Sequence, residues 1–183
     1  MSTGTLTLIL GGARSGKSTY AERLAAEYAR VTYLATAQAF DEEMQARIAK
    51  HRADRPPTWI TAECPHDVAT AILAHAETDC FLLDCLTLYV SNLLLAHEDD
   101  AESVVPLAIN EMLAAHRATS AGLIIVANEV GLGLVPDNPL GRRYRDLLGR
   151  ANQQIAAVAD NVYFLVAGLP MTVKSSACAP VLP

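Results

Sequence analysis

Residues 11–18, GGARSGKS, are the stretch whose residue types and spacing point most directly to chemistry. They fit the pattern G-x-x-x-x-G-K-[ST], in which glycines allow a tight turn and let backbone N–H groups approach phosphate oxygens. Lys17 is expected to reach the β- and γ-phosphates, and Ser18 to ligate Mg²⁺. The amide cradle would be formed by Gly11, Gly12, Ala13, Arg14, Ser15 and Gly16. This stretch predicts a site for a magnesium-bound nucleoside triphosphate.

Acidic residues end two of the apolar runs that follow. Asp84 closes the run CFLLD, where a phosphate-loop protein often places a second oxygen ligand for Mg²⁺. An aspartate there could instead cap the next helix. Asn128 and Glu129 end the run GLIIVAN, and ligands collect at this edge of a parallel sheet. Glu129 is therefore either a catalytic or substrate contact, or a structural cap.

A basic cluster follows the second apolar run, and it consists of Arg47, Lys50, His51, Arg52 and Arg55. On a helix, His51 shares the face that Met44 and Ile48 turn toward the protein body. Neighbouring cations disfavour the imidazolium form, and a neutral imidazole among phosphate-binding guanidinium groups can attack phosphorus. Two other interpretations stay open: a core histidine, or a solvated helix terminus rich in basic residues.

The overall charge argues against a polyanionic partner. The formal net charge is -6 and the pI is near 5.3, so nucleic acid is not expected and the basic cluster suits a small phosphorylated ligand. The cysteines at 64, 80, 85 and 178 show no metal-ligand spacing and are expected to be thiols in the reducing cytoplasm. No apolar run reaches the roughly 20 residues of a membrane span, and no signal peptide is evident.

Alternating apolar runs and amphipathic segments must position these residues. Strands are predicted at 5–10, 31–37, 80–85, 122–128 and 161–168, and helices at 17–29, 41–54, 65–76, 86–97 and 101–119. A short apolar stretch lies at 58–61. This order predicts one three-layer α/β domain over residues 1–183, with a mostly parallel sheet covered by helices on both faces. Residues 131–141 are predicted to form a mobile loop, and residues from about 174 a flexible tail.

Segments along nearly the whole chain resemble one known family, the bifunctional adenosylcobinamide kinase / adenosylcobinamide-phosphate guanylyltransferase. The matching segments are GGARSGKS at 11–18, YLATAQAFDEEMQARIAKHRADRP at 33–56, W-T-AEC at 59–64, LLDCLT at 82–87, NEVGLGLVP at 128–136 and RDLLGRANQQIAAVAD at 145–160. The resemblance implies a RecA-like P-loop NTPase domain with Mg²⁺, a trimer, and GTP and ATP as substrates. It also implies phosphorylation of the aminopropanol hydroxyl of adenosylcobinamide, then transfer of GMP through a GMP-histidine.

Carried over by position, the resemblance makes His51 the guanylylated residue, with Lys50 where some relatives have a second histidine. It places the nucleotide against Ala35, Thr36, Ala37, Arg52, Ala53, Asp54, Arg55, Glu63 and Asp84, and leaves Arg47 as a possible substrate contact. Two alternatives remain at this point. One is a small-molecule kinase in which His51 only binds phosphate, and the other is a nucleotide-dependent regulatory module, because one fold hosts many functions.

Overall fold

The computed structural model of the protein describes residues 4–38, 52 and 55–176. Its strands are β1 Leu6–Gly11, β2 Val31–Ala35, β3 Ile60–Glu63, β4 Cys80–Asp84, β5 Gly122–Asn128, β6 Asn161–Val166 and β7 Leu169–Ser175. Its helices are α1 Lys17–Ala25, α2 Val68–Ala74, α3 Leu86–Ala96, α4 Ala101–Arg117 and α5 Pro139–Val158. The predicted helix at 41–54 lies outside the described residues except for Arg52.

The strands form one seven-stranded sheet in the order β3-β2-β4-β5-β1-β6-β7. All neighbouring pairs from β3 to β6 are parallel, and only β7 runs antiparallel to its neighbour β6. The interior strand β1 is buried on both faces: Leu8 and Ile9 are both 0% exposed and belong to opposite apolar clusters. Parallel strands covered on both faces are apolar throughout, which is why these runs show no polar alternation.

Helices cover the sheet on both faces. On one face, Ala21 and Ala25 of α1 pack against a cluster that includes Ile9 and Leu82. On the other face, buried residues of α2, α3, α4 and α5 join one larger core. The predicted three-layer α/β fold of a phosphate-loop protein is therefore confirmed.

Helix α5 was not among the predicted elements, and its first residues correct the predicted loop. That loop was expected to run to residue 141, but α5 begins at Pro139, where proline is favoured at the start of a helix. Asn138 caps the helix by accepting a hydrogen bond from Gly141 N at 2.6 Å. Inside α5, the buried residues Leu147, Leu148, Ala151, Asn152 and Ile155 show the spacing of one helical face, which was a signal available in the sequence.

Strand β7 corrects the predicted tail. Lys174 and Ser175 were expected to belong to a flexible tail, whereas they are the last residues of β7. The Lys174 ammonium donates hydrogen bonds to the carbonyl oxygens of Ala156 and Ala157, each at 3.0 Å. These acceptors lie in the last turn of α5, where carbonyl groups lack partners in the helix and favour a cation.

The remaining predicted elements are present with shifted ends. Helix α1 stops at Ala25, four residues before its predicted end at 29, because the chain turns there toward β2. Strand β2 ends at Ala35 and β4 at Asp84, each slightly before its predicted end. No helix in the described part of the chain is both long enough and apolar enough to cross a membrane.

Helix α4 offers a matched test of the larger core. Ile109 is 0% exposed, whereas Leu107 on the same helix is 57% exposed. Ile109→Ala is expected to lower the free energy of unfolding by about 2–5 kcal/mol, because it removes buried methyl groups and leaves a cavity. Leu107→Ala is expected to change it by less than about 1 kcal/mol. Urea unfolding measures both values, and equal losses would contradict this assignment of the core face.

Candidate nucleotide-binding site

The carboxyl ends of the parallel strands meet at one edge of the sheet. Gly11 at the end of β1 lies opposite Asn128 of β5 and Leu165 of β6. Ala35 at the end of β2 lies between Glu63 of β3 and Asp84 of β4. The phosphate loop and the predicted acidic residues therefore lie along the same edge, where parallel α/β sheets bind ligands.

The phosphate loop requires glycine at two of its positions. Gly11 has φ 154°, and a Cβ added there would lie 2.6 Å from Leu165 O. Gly16 has φ 93°, and an added Cβ would lie 3.1 Å from Gly168 Cα. A Cβ added to Gly12 would meet no protein atom within 4 Å, so the space beside this residue is open to a ligand. Side chains at 11 and 16 would distort the loop itself.

Lys17 lies buried at the start of α1 and faces the loop. Its Nζ donates a hydrogen bond to Gly12 O at 2.5 Å, and the side chain is among the buried polar groups. Burial lowers the pKa of the Lys17 amine, while Cys85 and Asp84 act in the opposite direction. Ser18 is half-buried in the same first turn. The hydroxyl of Ser15 is buried and has no hydrogen-bond partner among the described residues, which suits a loop built around a ligand.

Asp84 is held by a tyrosine that the sequence did not single out. Tyr33 Oη donates a hydrogen bond to Asp84 Oδ2 at 3.1 Å, and burial raises the pKa of this phenol. The cap of α3 is Cys85, with no side-chain hydrogen bond, so the interpretation of Asp84 as a helix cap is wrong. The Ser18 hydroxyl and the Asp84 carboxylate are oxygen donors of the kind Mg²⁺ takes when phosphates and water complete its shell, so this donor set fits the ion.

The guanidinium of Arg55 stacks on the ring of Tyr33. Its guanidinium carbon lies 3.2 Å from the centre of the Tyr33 ring. Its Nε and Nη1 are buried without a hydrogen-bond partner among the described residues. Buried donors without acceptors are costly, and a guanidinium is well suited to phosphate oxygens. Arg52 is exposed, and Arg47, His51, Ala53 and Asp54 lie outside the described residues.

Thr36 ties the ends of β2 and β4 together. It is 0% exposed, and its Oγ1 donates to Cys85 O at 2.8 Å and accepts from Cys85 N at 2.9 Å. Its own carbonyl accepts a hydrogen bond from Asn92 Nδ2 at 2.8 Å. The Thr36 side chain is thus used inside the fold, next to the half-buried Ala35 and Ala37. Glu63 is exposed at the end of β3.

The side chain of Glu129 caps the turn that follows β5, which is one of the two roles predicted for it. Its Oε1 accepts a hydrogen bond from Gly131 N at 2.9 Å, which stabilises the turn after β5. Its backbone N donates to Gly11 O at 3.1 Å, which fixes it beside the phosphate loop. The carboxylate keeps acceptor capacity beyond this one bond, so a ligand contact is compatible with the turn.

The β6–β7 hairpin supports the phosphate loop from the far side. Gly168 N donates a hydrogen bond to Ser15 O at 2.9 Å. Ala167 and Gly168 have φ of 51° and 82°, the left-handed values of a two-residue hairpin turn. This contact was not predicted from the sequence, because no strand was predicted after residue 168. The pair Ala167–Gly168 was the available signal, and it is weaker than the usual Asn-Gly.

Comparison with known proteins identifies the family of the chain. The family model described as "Cobinamide kinase / cobinamide phosphate guanyltransferase" matches residues 7–173. The bifunctional adenosylcobalamin biosynthesis protein CobU of Salmonella typhimurium is 43% identical over 180 residues, which cover 92% of this chain and 99% of that protein. The protein CobP of Pseudomonas aeruginosa, with the same description, is 50% identical over 169 residues, covering 91% of this chain and 96% of that protein.

A third relative, CobU of Escherichia coli, is 39% identical over 180 residues, with 92% of this chain and 99% of that protein covered. Among solved structures, the RadB recombinase superposes with a TM-score of 0.49 and 15% identity, covering 89% of this chain and 74% of that chain. The family match includes the phosphate loop and ends at residue 173, within strand β7. The chain belongs to the cobinamide kinase / cobinamide phosphate guanyltransferase family.

Proposed function

We propose that one nucleotide site, at the carboxyl edge of the sheet, serves both reactions of this bifunctional enzyme. Through its family the chain is a cobinamide kinase and cobinamide phosphate guanylyltransferase, and its relatives are named for adenosylcobalamin biosynthesis. The observation that carries the proposal is the juxtaposition of the phosphate loop with Asp84, Tyr33 and Arg55. A regulatory module without turnover is not favoured, because residues 7–173 match an enzyme family.

In the kinase reaction, the corrinoid hydroxyl oxygen attacks the γ-phosphorus of ATP or GTP. The new P–O bond replaces the bond to the bridging β-oxygen, a nucleoside diphosphate leaves, and the hydroxyl proton passes to a base or water. Lys17 exchanges its hydrogen bond to Gly12 O for the β- and γ-phosphate oxygens, where negative charge develops. Ser18 and Asp84 are proposed to hold Mg²⁺, which would neutralise charge on the phosphates.

In the guanylyl transfer, the neutral imidazole of His51 attacks the α-phosphorus of GTP. A P–N bond forms, the bond to the bridging oxygen between the α- and β-phosphorus breaks, and pyrophosphate leaves. The phosphate of cobinamide phosphate then attacks the same phosphorus, breaks the P–N bond and regenerates the histidine. The support for His51 is the chemistry of a histidine set among basic residues, together with membership of a guanylyltransferase family.

The remaining site residues are assigned to the nucleotide. We propose that GTP lies against the segment of Ala35, Thr36 and Ala37, the segment of Arg52, Ala53, Asp54 and Arg55, and Glu63, with Arg47 as a further substrate contact. Thr36 would act through its backbone, because its hydroxyl is bonded to Cys85. The enzyme is further proposed to be a cytoplasmic homo-oligomer, most simply a trimer. Three free cysteines in the described part, Cys64, Cys80 and Cys85, suit a reducing compartment.

Lys17→Met tests the kinase step. The variant keeps an unbranched helix-forming side chain but loses the charge that meets the phosphates, so the rate of phosphate transfer to cobinamide should fall by about 100-fold or more. Transfer of label from γ-labelled nucleotide measures it. Lys174→Met, which removes an ammonium bonded to α5 on the far side of the sheet, is the matched control and should retain activity. Equal rates in the two variants would contradict the role of Lys17.

His51→Ala tests the covalent intermediate. Wild-type protein incubated with α-labelled GTP should acquire a label that is lost in acid and stable in alkali, as expected for a P–N bond, and the variant should acquire none. His97→Ala alters an exposed histidine after α3 and should label normally. A kinase in which His51 only binds phosphate predicts no covalent label on any of the three proteins.

Tyr33→Phe tests how Asp84 is held. The variant keeps the ring under Arg55 but loses the hydroxyl that donates to Asp84. Because such supporting contacts tune metal affinity, the Mg²⁺ concentration for half-maximal kinase rate should rise by about tenfold. A Mg²⁺ titration of the rate measures the shift. Tyr28→Phe, at an exposed tyrosine between α1 and β2, is the control, and the same Mg²⁺ requirement in both variants would refute the prediction.

A further inference from the structure

A cavity of about 470 Å³ lies beside the phosphate loop, on the face of the sheet that α5 covers. Leu10 and Glu129 line it from the sheet edge, and Arg145, Gly149, Asn152 and Gln153 line it from α5. Of these residues, only Glu129 was a candidate from the sequence. The cavity therefore lies at the same carboxyl edge of the sheet, and its lining contains none of the residues proposed to hold the nucleotide.

The cavity borders directly on the phosphate loop. Leu10 immediately precedes Gly11 and packs against the larger core on the face opposite α1. Glu129 N donates a hydrogen bond to Gly11 O at 3.1 Å, which fixes that wall of the cavity to the loop. A molecule in the cavity can thus extend a group toward the terminal phosphate from the side that α1 does not cover.

Asn152, in the wall of the cavity, has a buried side-chain oxygen that lacks a hydrogen-bond donor among the described residues. The side chain is 5% exposed, and its Nδ2 donates a long hydrogen bond to Asn128 O at 3.4 Å. Its Oδ1 is buried and has no partner among the described residues. An unpaired buried amide oxygen is costly, and the terminal torsion of asparagine is soft enough to turn this oxygen toward a donor that enters the cavity.

The charges of the lining largely compensate one another. Arg145 donates to Asp146 Oδ1 at 3.3 Å, and the other two charged residues of the lining, Glu129 and Arg150, are of opposite sign. What the wall then offers, besides Arg150, is a mixture of amide groups and carboxylate lone pairs. A neutral carboxamide carries both donors and acceptors and matches such a wall better than a polyphosphate does.

We propose that this cavity binds the amide-bearing arm of the corrinoid acceptor, the arm that ends in the reactive hydroxyl. The inference rests on the proposed function and assigns its second substrate. The volume lies within the range of about 300–1,000 Å³ for small-molecule sites, but a corrin with all its arms is larger than the cavity. The macrocycle therefore stays outside, and the arm alone reaches the phosphate loop.

Gly149 allows the cavity to be filled without disturbing the helix. A Cβ added there would meet no atom within 4 Å, and glycine inside a helix is itself unfavourable, so Gly149→Ala and Gly149→Leu should fold at least as well as wild type. The KM for cobinamide should rise little in the alanine variant and by about tenfold or more in the leucine variant. Ala157→Leu, at an exposed position of the same helix, is the control and should leave this KM unchanged.

Three measurements separate the outcomes. Self-guanylylation without corrinoid and the affinity for GTP should be unchanged in Gly149→Leu, and a corrinoid without the aminopropanol arm should bind the variant and wild type equally. An unchanged KM for cobinamide in Gly149→Leu would overturn the cavity assignment and leave the proposed function intact. Weakened GTP binding would overturn it in favour of a nucleotide-base pocket. Absence of phosphate transfer to cobinamide by wild type would instead refute the proposed function.

Discussion

The site depends on close backbone packing between the phosphate loop and the β6–β7 hairpin. Gly11 and Gly16 approach the end of β6 and the hairpin turn so closely that neither position has room for a side chain. At Gly11 a single methyl group would approach the Leu165 carbonyl to 2.6 Å, and at Gly16 it would approach the hairpin turn to 3.1 Å. The loop amides are held in place by contacts with strands from the other end of the chain. Lys17, at the first position of α1, is buried beside this loop, and its amine donates a hydrogen bond to Gly12 O.

A second constraint joins the neighbouring strand ends. The hydroxyl of Thr36 bonds both backbone groups of Cys85, and Asn92 bonds the Thr36 carbonyl, so the ends of β2 and β4 move together. Tyr33 lies on β2 and Asp84 on β4, so the same contacts that join these strand ends also fix the geometry of the Tyr33–Asp84 hydrogen bond. Arg55 lies over the Tyr33 ring with two unpaired donors. The carboxylate proposed to hold Mg²⁺ and the guanidinium proposed to bind phosphate thus both contact Tyr33, so the two groups are oriented together before a ligand arrives.

Elements of the fold could be predicted from the sequence where a local residue pattern is compatible with only one structure. The strand–glycine–helix order at residues 6–25 and the apolar strands were predicted because buried parallel strands and phosphate loops each leave an unmistakable local pattern. The roles of Tyr33 and Asn152 could not be predicted in the same way. Their roles arise from which strands become neighbours, and no property of the residues around them in sequence encodes that. The helix α5 is different, since its apolar spacing was visible and was not interpreted.

The sheet order also has a consequence for how the molecule is made. Strand β1 is the first to leave the ribosome, yet its two neighbours, β5 and β6, are among the last. Contacts of such large sequence separation form slowly, and during synthesis β1 has no strand to pair with until residue 122 has emerged. The nascent N-terminal segment therefore spends most of translation as an unpaired apolar strand, which makes it a natural client for a chaperone.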